Sequence, residues 1–139
     1  MPAADQVLAR LERTFGAGAE RDIARTLMDF LIAHKETSHI NLQLVRQLTK
    51  GGDSGQFDGE ILRTLQFLAG DAIGLLETKF EIFDEADQPH GIDNSVVKEA
   101  IFLQLNPLTG EADPQVDKKI FMFFSPSSHS VDLSWESRD

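Results

Sequence analysis

The sequence contains no cysteine among its 139 residues, which excludes disulfides, thiol catalysis and cysteine-ligated zinc. No apolar run approaches the roughly 20 residues that a membrane-spanning helix needs. The first fifteen residues place Arg10, Glu12 and Arg13 inside an amphipathic pattern, which is unlike a signal peptide. We therefore expect a cytoplasmic protein with no membrane association.

Basic residues are few in the second part of the chain. Residues 1–50 contain seven Lys or Arg and six Asp or Glu, whereas residues 51–139 contain six and seventeen. The net charge of −10 therefore comes from the part after residue 50. Non-specific nucleic-acid binding depends on neutralising phosphates, so this acidic part is poorly suited to it.

Apolar residues at helical spacing predict four helices before residue 70. The predicted helices are residues 4–15, 20–34, 41–49 and 58–69. Asn41 and Asp58 stand where an N-cap would satisfy the first-turn N–H groups of the third and fourth helices. Residues 38–40 suit a short strand, and the glycine-rich residues 50–55 suit a flexible loop.

After residue 70 the apolar period changes to two. Residues 76–82 alternate apolar and charged side chains, which is typical of a half-solvated strand. Residues 84–95 contain proline, glycine and four acidic residues, and they predict a long exposed loop. Residues 120–124 form an apolar run that suits a strand covered on both faces.

Residues 97–105 alternate again, with Glu99 as the exception, and favour a further strand. A helix is the alternative there, because Asp93, Asn94 or Ser95 could cap it. With either assignment, the order of elements predicts an α+β fold in which N-terminal helices precede a small antiparallel sheet.

We predict one domain over residues 1–125 and a polar, mobile C-terminal tail over residues 126–139. Val131, Leu133 and Trp135 alternate with polar residues, so part of this tail could instead add a strand to its own sheet or to that of a partner.

The predicted order of elements over residues 20–105 resembles a winged-helix domain. The resemblance implies a helix-turn-helix at 41–49 and 58–69, and a hairpin formed by 75–83 and 97–105 with 84–94 as its wing. It also implies that residues 58–69 form the recognition helix, and that Arg63, Thr64 and Gln66 contact DNA bases.

The charges oppose that use of the recognition helix. Asp58 and Glu60 lie in its leading turn, which approaches the DNA, and the wing carries four carboxylates beside the phosphates. Winged-helix domains also serve as dimerisation and protein-interaction modules, and the acidic pattern suits that use better.

No motif for catalysis, metal binding or cofactor binding is present in the sequence. The acidic residues 84–87 do not fit the register of an EF-hand loop. The four histidines show no HExxH-like ligand spacing, and the serines of the tail lack a nucleophile elbow. We expect no catalytic residue, no metal and no cofactor.

The aromatic residues are more informative. Phe102, Phe121 and Phe123 lie on predicted strands whose two faces cannot both be hidden by three strands. Helices of the same chain could cover them, or a symmetric partner could, and Trp135 could join such an interface.

The sequence therefore predicts a non-enzymatic regulatory or adaptor domain that acts through protein contacts, with a homodimer as one form. One alternative is a winged-helix DNA-binding transcriptional regulator. Another is an acidic inhibitor or immunity-type protein that occupies a basic site on its target.

Overall fold

The computed structural model describes residues 3–49 and 55–136. Most of the loop predicted at 50–55 and the last three residues of the predicted tail lie outside this description. The chain divides into two compact units. Unit 1 comprises the described residues of Met1–Glu77 and Phe124–Asp139, and unit 2 is Thr78–Phe123. The domain boundary placed at residue 125 stays a prediction.

Five α-helices and three strands occur in the described residues. In chain order they are α1 (Ala4–Phe15), α2 (Ala19–Ala33), α3 (Leu42–Leu48), α4 (Asp58–Ala69), β1 (Leu76–Phe83), β2 (Pro89–Ile92), α5 (Asn94–Leu103) and β3 (Ile120–Pro126). Short 3₁₀ helices lie at Val116–Lys118 and Ser128–Asp132. The predicted α+β class, with helices preceding a small antiparallel sheet, is confirmed.

The core of unit 1 is formed by the apolar faces of its helices. Leu11 of α1, Leu27 of α2 and Leu65 of α4 are fully buried, because apolar residues three or four positions apart share one side of a helix. Burial of each such side chain contributes about 1.5–3 kcal/mol relative to an exposed one. α4 packs against α2 and α3, and α1 packs against α2.

The predicted N-cap of α3 is confirmed, and the predicted N-cap of α4 is corrected. Asn41 caps α3, since its Oδ1 accepts the N–H of Leu44 at 2.9 Å. Asp58 was predicted as the cap of α4, but the N-cap is Phe57, which makes no side-chain capping bond. The Asp58 carboxylate instead binds the guanidinium of Arg46.

Two segments distant in sequence complete unit 1. Ile40, in the predicted short strand, forms an antiparallel bridge with Phe124, with N–O distances of 2.7 and 2.9 Å. The described part of the predicted tail lies against unit 1: Leu133 is buried, and Ser134 forms a bridge with Ala3.

The sheet has the order β2-β1-β3 and is antiparallel. β1 pairs with β2 in a register that runs from Phe80 opposite Ile92 to Phe83 opposite Pro89. β1 and β3 were both predicted as strands, and the helices followed by a three-stranded antiparallel sheet are compatible with a winged-helix order. In unit 2, α5 packs against the 3₁₀ helix Val116–Lys118.

The strand favoured at 97–105 is wrong, because these residues belong mainly to α5. Val97 and Ala100 are buried three positions apart, which is the spacing of one helix face. Glu99, the exception to the strand pattern, is exposed on the helix. Asp93 has the extended backbone of an N-cap residue, with φ −71° and ψ 153°.

The long loop predicted at 84–95 is also corrected. It contains β2, which begins at Pro89 on the edge of the sheet, a position where the missing N–H of proline removes no ladder bond. The partner of β1 in the hairpin is therefore β2, not residues 97–105. The wing implied at 84–94 is reduced to the turn at residues 84–88.

Candidate protein-contact surface

A surface groove lies in unit 2 where β1 ends and β3 begins. Three large apolar side chains line it, those of Phe83, Leu108 and Phe121. The rings of Phe83 and Phe121 meet edge to face, with centroids 5.8 Å apart and planes at 79°, a favourable arrangement for aromatic pairs. The groove has a volume of about 840 Å³. We call it the aromatic groove.

The hairpin turn beside the aromatic groove is organised by Asp84. Its Oδ1 accepts the N–H groups of Ala86 and Gln88 at 2.8 and 2.9 Å, and its Oδ2 lies 2.8 Å from Nε2 of His90. The hydrogen bond from His90, followed by that from the N–H of Gln88, lowers the pKa of Asp84 below its usual range. Asp87 closes the turn in the left-handed region, with φ 59°.

The other side chains of the groove come from the segment between α5 and β3. Asp113 organises this segment: its Oδ2 lies 2.6 Å from Nζ of Lys119 and 3.4 Å from Nδ2 of Asn106, and its Oδ1 accepts the N–H of Gln115. The hydrogen bond from Lys119 is the main cause that lowers the pKa of Asp113.

The charges of the groove are thus divided into paired and unpaired groups. Asp84 is paired with His90, and Lys119 with Asp113. The side chains of Glu85, Asp87 and Lys118 make no ion pair with any residue in the described ranges. The groove therefore combines a largely aromatic lining with charged side chains of both signs that have no ion-pair partner in the described ranges.

α5 adds a second exposed apolar surface to unit 2. Phe102 is 86% exposed, and its neighbours Ile101 and Leu103 are 44% and 50% exposed. These three residues form the C-terminal turn of α5, which ends at Gln104 in the left-handed conformation.

The predicted interface residues lie in different places. Phe121 lies in the aromatic groove, and Phe102 lies on α5 instead of on a strand. Phe123 is half-buried in β3. Trp135 lies in unit 1, where its Nε1 donates to Oδ1 of Asp29 at 2.7 Å and the Arg25 guanidinium lies 5.1 Å from its ring centroid. The prediction that these four residues form an interface is not tested by these positions.

Sequence reasoning missed Phe83 and Leu108. Phe83 follows the alternating residues 76–82, so its position on the opposite face from Ile82 could have been inferred from the two-residue period of a strand. Leu108 lies in a turn between Pro107 and Thr109, and no periodic signal in the sequence indicates which way the side chain of a turn residue points.

The residues implied to contact DNA are only partly accessible on α4. Thr64 is fully buried, and its hydroxyl donates to the carbonyl of Glu60 at 2.8 Å. Arg63 is half-exposed, and its Nε lies 3.1 Å from Oε2 of Glu20. Gln66 is exposed.

Neither a metal-binding cluster nor a membrane-spanning helix occurs in the described ranges. No group of three or more His, Asp or Glu side chains that could hold a metal ion was found there. No helix in the same ranges is long and apolar enough to cross a bilayer. Comparisons with protein-family models, with curated proteins and with solved structures gave no match. Function must therefore be argued from the surface itself.

Proposed function

We propose that this chain is a non-enzymatic regulatory or adaptor domain that acts through protein contacts, with unit 2 as the contact region. One observation carries the proposal. Of the ten large apolar side chains that are exposed in the described residues, eight belong to unit 2, which contains about a third of the chain. They are Phe83, Val96, Ile101, Phe102, Leu103, Leu108, Phe121 and Met122.

The concentration of these side chains in one unit supports the proposal, since single exposed apolar residues are common on any protein. Exposed apolar surface that is gathered in one region marks a site of interaction. Aromatic residues, phenylalanine included, are enriched in protein interfaces relative to the rest of the surface, and unit 2 exposes three phenylalanines, Phe83, Phe102 and Phe121.

The order of elements supports a winged-helix-like origin of the domain. Such a domain requires a helix, a short strand, two further helices and a hairpin, in that order. The chain supplies them as α2, Ile40 with its single bridge, α3, α4 and the β1–β2 hairpin. We propose this relationship on element order alone, together with a cytoplasmic location. The acidic surface suits the dimerisation and protein-contact uses of that fold better than DNA binding.

The surface of α4 does not favour a DNA-binding regulator as the second candidate function. Its three implied contact residues include one that is buried, Thr64, and one that is paired with a carboxylate, Arg63. The acidic inhibitor is retained as the second candidate. The unpaired carboxylates of Glu85 and Asp87 beside the aromatic groove favour a partner with basic groups.

The test is retention of a partner by the immobilised full chain. We expect the wild type to retain one defined protein from an extract of its source, and both Phe102→Lys and Phe121→Lys to reduce that retention. Val131→Lys is the matched control, because Val131 is 64% exposed but lies in unit 1. Circular dichroism confirms that each variant is folded.

Salt separates the two candidate functions. A contact made mainly by apolar groups resists elution by salt, whereas occupation of a basic site by carboxylates is screened and elutes. Equal retention by the wild type, both phenylalanine variants and the control would contradict the assignment to unit 2. Retention of no protein, combined with no self-association, would contradict the proposal as a whole.

A further inference from the structure

The aromatic groove exposes ring surface that its own chain leaves uncovered. Phe83 is 40% exposed and Phe121 is 53% exposed, and their rings meet edge to face. In this arrangement one ring covers only one face of the other. The face of an aromatic ring carries the negative part of its quadrupole. The exposed rings therefore favour a cation over an anion as the group that lies against them.

The carboxylates of the hairpin turn favour a cation as well. Glu85 and Asp87 are exposed and line the groove, and neither makes an ion pair with a residue of the described ranges. Asp84 is already engaged, since one of its oxygens accepts two backbone N–H groups of the turn and the other contacts His90. The turn therefore presents two carboxylates that no neighbour in the described part of the chain neutralises.

One lysine of the groove opposes this preference, but the surrounding charge supports it. Lys119 is paired with Asp113, whereas Lys118 is exposed and makes no ion pair within the described ranges. Unit 2 contains four Lys, no Arg and nine Asp or Glu, so its net charge is −5. The field of the unit therefore attracts a basic segment and repels an acidic one.

The groove is large enough to receive a long side chain. Its volume of about 840 Å³ lies within the range of roughly 300–1,000 Å³ that small-ligand sites occupy. Leu108 extends the apolar lining beyond the two rings. A side chain that suits this lining is apolar along its stem and cationic at its end, and arginine and lysine both have this character.

Arginine meets these requirements better than lysine. Its guanidinium is planar, stacks on aromatic faces and is more weakly hydrated than an ammonium group. It also has several N–H donors in one plane, so it can lie against a ring and still bind a carboxylate. The ammonium of lysine is a compact, strongly hydrated charge, which makes its transfer to an aromatic lining more costly.

We propose that the aromatic groove binds an arginine side chain from a basic segment of a partner protein, with the guanidinium against the two rings and its N–H groups directed to Glu85 or Asp87. Charge complementarity favours this occupant over a second copy of the chain, because a copy with a net charge of −10 is repelled by a unit of charge −5. The inference rests on the proposed function, because it names the chemical group that one surface of unit 2 recognises.

Fluorescence anisotropy with the full chain tests the contact. The probe is a short labelled peptide with capped ends, in which arginines alternate with leucines. One analogue carries lysine in place of arginine, and the other carries citrulline, which keeps the shape of the side chain and removes its charge. We expect the citrulline peptide to bind with an affinity lower by about tenfold or more, and the lysine peptide by about threefold or more.

Substitutions in the groove identify it as the site. Glu85→Gln and Phe121→Leu each weaken binding of the arginine peptide by about two- to fivefold, because one removes a carboxylate and the other a ring. Lys118→Gln strengthens binding by a similar factor, because it removes an opposing cation.

Asp71→Asn is the matched control for net charge. Asp71 is an exposed carboxylate of unit 1, so its substitution changes the charge of the chain as much as Glu85→Gln does. We expect this variant to bind the arginine peptide as the wild type does. Circular dichroism confirms that each variant is folded.

The outcomes separate this inference from the proposed function. Equal affinity for the arginine peptide and either analogue, or binding that Glu85→Gln and Phe121→Leu leave unchanged, overturns the arginine site. Weaker binding by Lys118→Gln would indicate an acidic occupant, and self-association that Phe121→Leu abolishes would indicate a second copy, so each overturns it too. If the chain still retains a protein through unit 2, the proposed function stands and only the assigned chemistry is wrong. A chain that binds neither peptide nor protein contradicts both.

Discussion

The guanidinium of Arg46 on α3 binds the carboxylate of Asp58 in the first turn of α4 through two N–H groups. Nε of Arg46 lies 2.9 Å from Oδ1, and Nη2 contacts Oδ2. This fork-to-fork geometry joins two helices on either side of residues 50–54, and it also places a negative charge at a helix N-terminus. The hydrogen bond from Arg46 is the main cause that lowers the pKa of Asp58 below its usual range.

The first prediction concerns this pair and pH. A carboxyl whose pKa is lower in the folded than in the unfolded chain stabilises the fold above its unfolded pKa of about 3.9. That contribution is lost as the pH falls through the lowered, folded value. Asp58→Asn should therefore reduce the thermal midpoint at pH 7, and its difference from the wild type should shrink below pH 4.

Differential scanning calorimetry at a series of pH values measures this effect. Asp71→Asn is the control, because Asp71 is exposed in unit 1 and its carboxylate has no partner among the described residues. A deficit of Asp58→Asn that persists unchanged at low pH would show that the side chain stabilises the protein by some means other than its charge.

The second prediction concerns the segment that was predicted to be a mobile tail. Leu133 is only 3% exposed and belongs to the core of unit 1. Leu133→Ala should therefore destabilise the protein by about 2–4 kcal/mol, through lost burial and the cavity that remains. Val131→Ala, two residues earlier and 64% exposed, should change stability by less than about 0.5 kcal/mol.

Urea unfolding followed by circular dichroism measures both variants. Equal stability of Leu133→Ala and the wild type would mean that residues 127–136 do not pack as the structure places them. It would then support the mobile tail.

The third prediction concerns the end of α5. Gln104 adopts the left-handed conformation, with φ 55° and ψ 46°, which a side chain with Cβ disfavours and glycine does not. Gln104→Gly should raise stability by about 0.5–1 kcal/mol, as glycine does at helix C-terminal positions of this type. Gln104→Ala keeps Cβ and should give no such gain. Destabilisation by glycine would contradict the left-handed geometry.

The fourth prediction concerns the turn at the aromatic groove. Because the hydrogen bond from His90 lowers the pKa of Asp84, His90→Ala should shift the titration of the Asp84 carboxyl to higher pH. Carbon-detected NMR of the side-chain carboxyls measures the shift. The lowered pKa of Asp113, which is held mainly by Lys119, is the internal control and should not move.

The agreement between sequence and structure is greatest where the structure depends on periodicity. The helical spacing of Ile23, Leu27 and Leu31 predicts the buried side of α2, and the two-residue alternation of 76–82 predicts β1. In α2 the pattern is dictated by the burial of one side of the helix against a core. In β1 the alternation ends at Glu81, which is buried beside Ile82. The helix α5 was not predicted as the favoured structure because it is short. Its apolar residues also fit the two-residue period of a strand, with only the charged Glu99 breaking the alternation.

The candidate contact surface could be predicted only in part. The sequence places Phe102 and Phe121 on a sheet that three strands cannot cover on both faces. Both side chains are exposed, but Phe102 lies on α5, so the reason applies only to Phe121. The aromatic groove brings together Phe83, Leu108 and Phe121, whose separations along the chain carry no periodic signal. The pairing of Trp135 with Asp29 spans 106 positions, and pattern reasoning within a window of residues does not reach that far.

The position of Trp135 has a practical consequence for studies of folding. It is the one tryptophan of the chain, and it lies in unit 1 beside Asp29 and Arg25. Its fluorescence emission therefore reports the local environment in unit 1, whereas far-ultraviolet circular dichroism averages over the helices of both units. Superimposable unfolding curves from the two probes would show that the units unfold together, and separated curves would show that unit 2 unfolds independently.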